Sequence, residues 1–158
     1  MKLAQLLEKA KESNEYKEFM KEYPEAFLAA GFFVLDDVGE DKFQLDFFIP
    51  GTNKIAISVY PFDNMKIQED NIKDIKKLDE NLKIDVTDLR LKVDEVLKEN
   101  KINLRVSKII AILKDNKWNL TCMGSTLDLV RIFIDSLTGK VEKCEKVNFF
   151  DIVNVKKK

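Results

Sequence analysis

Histidine does not occur among the 158 residues. Its absence removes the usual general base, the usual triad member and the commonest transition-metal ligand. Cysteine is nearly as scarce. Cys122 and Cys144 are the only two, and without CxxC spacing or a histidine partner they fit neither a disulfide scaffold nor a zinc site. Reduced, buried thiols are expected, with a Cys122–Cys144 bridge between neighbouring strands as the alternative. Glycine occurs 5 times and never as GxGxxG. Gly139-Lys140 is no P-loop, because Ile134 stands where its first glycine belongs and Val141 replaces the magnesium-holding Ser or Thr.

Long apolar runs are also missing. No stretch approaches the ~18 apolar residues of a membrane span, and Lys2, Glu8, Lys9, Lys11 and Glu12 interrupt what a signal peptide would keep apolar. Nor is one sign of charge in excess: 27 basic residues face 28 acidic ones, so no overall field draws the chain to nucleic acid or to an anionic membrane. Arg105, Lys108, Lys114 and Lys117 mix with apolar residues in KINLRVSKIIAILKDNKW, which reads as the wet face of a strand pair. The tail, residues 151–158, ends in three lysines and reads as a solvated chain end. A cytoplasmic, soluble protein with no metal, no cofactor and no nucleic-acid or membrane partner is expected.

What is present is a core. At 45% hydrophobic content the chain can fill one domain. Leu3, Leu6, Leu7 and Ala10 share a face of a short helix, and Ser13 is placed to cap a second one carrying Tyr16, Phe19, Met20, Tyr23 and Phe27. After Gly31 the period becomes two, in FFVLDD, KFQLDFFI and KIAISVY. These read as three strands, with Pro50-Gly51 in the centre of a type II turn. Ile55, Ile57 and Val59 are expected to continue the helix-facing set of Phe43, Leu45, Phe47 and Ile49. Residues 63–87 read as a charged connector with a short helix carrying Ile72, Ile75, Leu78 and Leu82. Then the plan recurs: a helix from 88 with Leu89, Val93, Val96 and Leu97 on one face, and four strands. Asp115-Asn116 joins the first two of these strands tightly, and Trp118 alternates inward with Leu120 and Cys122.

The expected fold is therefore α+β, built of two helix-then-antiparallel-meander units: residues 1–62, the connector 63–87, residues 88–150, and the tail. Trp118-Asn119-Leu120, residues 130–135 and Thr138-Gly139-Lys140-Val141 resemble the second half of a PepSY-type module, with its aromatic strand, hairpin and D-x-x-T-G-x-V ending. The helix at 88–99 sits where that module keeps its own. The resemblance implies helices packed on a curved antiparallel sheet, cystatin-like in outline, and a binding or inhibitory role in a family that is usually extracytoplasmic. Through AFLAAGFFVLD and WNLTC the whole chain is also similar to small archaeal proteins of no assigned function.

Within that frame 130–143 is a bend, in which Asp135 and Thr138 accept from turn amides and Gly139 takes a positive φ. The acidic run Asp36, Asp37, Glu40, Asp41 reads as a solvated hairpin end, since its spacing is not that of a calcium loop. No catalytic residue stands out. The doubled phenylalanines, 32–33, 47–48 and 149–150, send one ring to each side of a strand. An uncovered ring forgoes about 1.5–3 kcal/mol of burial, so Phe48 and Tyr60, read as sharing the reverse side, form the candidate partner surface, whose cover is expected to be first the other half of the chain, then a second copy, then a different protein or an apolar ligand. A non-enzymatic binding module is the leading expectation, a helix–sheet pocket for a small apolar ligand the second, and a carboxylate-dependent enzyme the third.

Overall fold

Leu3–Glu12 forms α1 and Asn14–Glu22 forms α2. Between them Ser13 is extended and its hydroxyl accepts from the Tyr16 amide at 3.1 Å, satisfying a donor that the first turn of a helix leaves free. In this computed structural model, which describes residues 1–71 and 74–148, α2 stops at Tyr23 because Pro24 cannot continue it. Phe27, expected on the helix, begins the first strand instead.

The strands are β1 (Phe27–Asp36), β2 (Lys42–Ile49), β3 (Lys54–Val59), β4 (Met65–Glu69), β5 (Val106–Lys114), β6 (Lys117–Gly124), β7 (Asp128–Asp135) and β8 (Val141–Asn148), with α3 (Leu89–Glu99) before β5. The architecture is α+β with one antiparallel sheet of eight strands in the order β4-β3-β2-β1-β5-β6-β7-β8. The seam lies between β1 and β5, where Phe33 opposes Ala111 and Gly31 opposes Leu113. All three helices lie on one face, their buried leucines and valines meeting Phe33, Phe47, Trp118 and Ile132 in one core. No described helix is long and apolar enough to cross a membrane.

Residues 63–87 differ from expectation. They begin with β4, a fourth strand in the first half, and no α-helix forms among their described residues; Ile72 lies outside those residues. Residues 74–85 run as a strap along one end of the sheet. Its amides donate to the Leu28 carbonyl from Leu78, to Asn116 Oδ1 from Asp79, and to the Ser136 carbonyl from Lys83. The apolar stripe that suggested a helix is spent in several directions: Leu78 is buried, Leu82 packs against the core, and Ile75 reaches the sheet's other face. Tertiary partners for each side chain outweigh a weak local preference.

The turns follow the sequence. Asp115 and Asn116 both have positive φ, 52° and 58°, as a two-residue hairpin demands. Gly51 stands at 79° in the central position where a type II turn wants glycine. Trp118 is fully buried and its Nε1 donates to the Ile84 carbonyl at 2.7 Å, tying the strap to the second half of the sheet. Trp118→Ala should cost about 3–5 kcal/mol, read as a lowered midpoint in a urea melt; an unchanged midpoint would contradict this placement.

Candidate functional site

Phe48 and Tyr60 do not share a surface. Phe48 is half-buried on the face away from the helices, its ring 5.6 Å from Phe27. Tyr60 lies past the end of β3 on the helix side, edge-on to Phe43 at 6.0 Å and to buried Phe62 at 5.6 Å. The expected side of β3 was inverted. Its register sets Ala56 opposite Phe47 and Ser58 opposite Leu45, both on the helix side, and Ile55 and Ile57 opposite Phe48 and Asp46 on the reverse. The small Ala56 leaves room beside Phe47 for the rings of Tyr16 and Phe19, 5.4 and 6.4 Å from it. The doubled phenylalanines do divide as expected, Phe33 and Phe47 buried, Phe32 and Phe48 on the reverse; residues 149–150 and the lysine tail lie outside the described residues.

The acidic hairpin end is bound by the protein's own cations. Arg90 approaches Asp41 at 3.0 Å and Asp37 at 3.4 Å, and Lys108 approaches Asp36 at 3.7 Å. The Val38 and Gly39 amides hold the Asp36 carboxyl below its usual range. Among the described residues no three carboxylates or thiols gather as metal ligands. At 135–140, Asp135 Oδ1 accepts from the Leu137 and Thr138 amides at 2.9 and 3.0 Å, and Gly139 has φ 78°. That segment is a bend. The two thiols are unbridged and face the core from β6 and β8 with β7 between them. Burial pushes Cys122 up to about 12, which makes it an inert thiol.

Most of the space between helices and sheet is taken up by Trp118, Phe33, Phe47 and Leu120, each at most 2% exposed; what remains is a hollow of about 120 Å³ between Val93 of α3 and Leu35 and Ile109 of the sheet, rimmed by Asp37, Arg90 and Lys108. A hollow of about 350 Å³ lies on the reverse face. Phe32, Ile55 and Ile112 wall it, Ile75 of the strap leans over it, and Gln44, Asp46, Asp70 and Lys114 supply its polar groups. Register explains the assembly: Ala30 has Asp46 on one side and Lys114 on the other, and Phe32 likewise has Gln44 and Ile112. Gln44 Nε2 donates to Asp46 at 2.9 Å. Burial chiefly, with help from the like charge of Asp70, raises the Asp46 pKa, and Gln44 and Lys114 only partly oppose this. A lone Asp at an otherwise apolar centre of β2 was the sequence's one signal of this hollow.

No family model and no curated protein matches the chain. Among solved structures, a protein of Clostridium difficile 630 described as a "putative lipoprotein" is similar, with a TM-score of 0.52 over 83% of this chain and 89% of that one. At 17% identity the likeness carries the fold alone.

Asp46 also sets a pH dependence. With its folded pKa raised above the unfolded value, the native state loses stability as pH rises through the folded pKa. Asp46→Asn, which keeps the acceptor for Gln44, should therefore melt at least as high as wild type at pH 7. The gain should vanish at a pH below the ordinary carboxylate range, checked by paired thermal melts.

Proposed function

We propose that the protein is a non-enzymatic binding module that presents the reverse face of its sheet to a protein partner. The carrying observation is the inequality of the two faces. Three helices bury one, while the other keeps Phe27, Phe32, Phe48, Ile110, Leu129 and Phe133 only half-buried. A sheet face of this breadth with aromatic and aliphatic side chains at its centre is suited to a partner. Arg131, exposed on the same face opposite Thr121 and Glu145, adds a residue type favoured in such contacts. Against catalysis stand the missing histidines, the acids held by Arg90 and Lys108, and the inert Cys122.

The finer description belongs to the same proposal: two helix-then-meander units joined edge to edge, the second PepSY-like. Supporting it, the strand order runs outward from β1 in one half and outward from β5 in the other. The Asp135-x-x-Thr138-Gly139-x-Val141 bend closes the β7–β8 hairpin. A cytoplasmic location also stays with the proposal. The description of the Clostridium difficile protein as a lipoprotein points instead to an envelope location, and cell fractionation distinguishes the two.

The test is affinity capture with three folded forms: wild type, a Phe48→Ser/Phe133→Ser double variant and Tyr60→Ser. The partner should be held by wild type and by Tyr60→Ser, and lost at least tenfold by the double variant. Equal recovery by all three would defeat the reading. Sedimentation of the wild type as a dimer that the double variant dissolves would replace the foreign partner with a second copy.

A further inference from the structure

The hollow on the reverse face has a built-in imbalance. Asp46 and Lys114 flank Ala30 from neighbouring strands, so their side chains stand on opposite sides of a floor made by one methyl group. Asp70, just past β4, adds a second carboxylate, its position fixed by its amide's bond to the Asn53 carbonyl. Among the described residues, none of these three charges forms an ion pair within 4 Å, although nine such pairs occur elsewhere. Among the described residues Asp46 keeps only the Gln44 side-chain amide as hydrogen-bond partner, and two carboxylates face one ammonium, beside a wall of Phe32, Ile55 and Ile112.

We propose that this hollow binds a small amphiphilic amine, its ammonium seated between Asp46 and Asp70 and its aliphatic or aryl body laid against Phe32, Ile55 and Ile112. A cation supplies the charge that the buried carboxylate lacks, and removing it from water is compensated only where such a partner waits. A carboxylate ligand would meet two like charges for one opposite. A neutral apolar ligand would cover both acids without pairing either. The volume, about 350 Å³, falls at the small end of the range for free ligands, roughly 300–1,000 Å³. It suits a free molecule with a short apolar body. Lys114 offsets one of the two carboxylates and repels the ligand's ammonium, so it limits affinity. The hollow shares Phe32 with the proposed docking face, but the residues tested below are not those of the docking variants.

Amide NMR titrations of the full chain with n-hexylamine, n-hexanol and hexanoate at pH 7 test this. Hexylamine should shift the Ala30, Gly31 and Asp46 amides saturably, and bind at least tenfold more tightly than hexanol. Hexanoate should leave those amides in place. Asp46→Asn should weaken hexylamine at least tenfold while the fold persists, and Ala30→Leu, which fills the floor, should abolish binding. Lys114→Met should tighten it, a direction that a merely structural lysine would not produce. Wild-type affinity should fall as pH is lowered through the titration of Asp46, since only its ionised form pairs with the ammonium. No saturable shift with hexylamine, equal binding of hexylamine and hexanol, or unchanged affinity in Asp46→Asn would each overturn the assignment. A lost protein partner alongside intact hexylamine binding would remove the docking proposal and leave this one standing.

Discussion

The antiparallel pairing of β1 with β5 is the contact on which the rest of the molecule depends. A four-strand meander ends in two open edges, and an open edge leaves a row of backbone donors and acceptors unpaired. Joining the inner edges satisfies both rows at once and stacks Phe33 beside Ala111 under the helices. It also makes a single core, because the buried side chains of both halves then meet α1, α2 and α3 on one continuous face. The strap over residues 74–85 reinforces the seam from the end, donating to Leu28 in one half and to Asn116 and Ser136 in the other.

The same seam makes the hollow. Neither half alone contains it: Gln44 and Asp46 come from β2, Ala30 and Phe32 from β1, Ile112 and Lys114 from β5. A carboxylate in a strand centre would ordinarily stand in water, where its pKa needs no adjustment. Here the neighbouring strands and the overhanging Ile75 withdraw that water, and burial becomes the leading cause of its shift. The acidic hairpin end behaves in the opposite way. Its amides and cations favour the ionised form of Asp36, so the more conspicuous cluster of acids in the sequence is the quieter one chemically.

Local features were readable in advance where a few adjacent residues settle their own geometry. Ser13 as a helix cap, Asp115-Asn116 as a hairpin, Gly139 in a bend and the inward Trp118 all follow from side chains acting on their own neighbourhood. The face assignment of β3 was not readable, because Ile55 and Ile57 on one side and Ala56 on the other are all apolar. Alternation says which residues travel together and not which way they point. The decision came from Phe47, whose ring already filled the space and admitted only a small partner at Ala56. Tyr60 was misplaced by the same inversion, and with it the idea that it could share a surface with Phe48.

The sequence by itself determined the kind of chemistry available: no imidazole, balanced charge, too little cysteine for a scaffold, and helix and strand periods that place apolar residues on definite faces. Those properties belong to residue types and to neighbours along the chain. The tertiary structure alone decided that eight strands form one sheet, that residues 65–69 join it, and that one face is covered while the other holds Asp46, Asp70 and Lys114 around Ala30. Pairing partners and covered faces depend on contacts between distant segments, whose energies are set by shape and burial in three dimensions rather than by local preference.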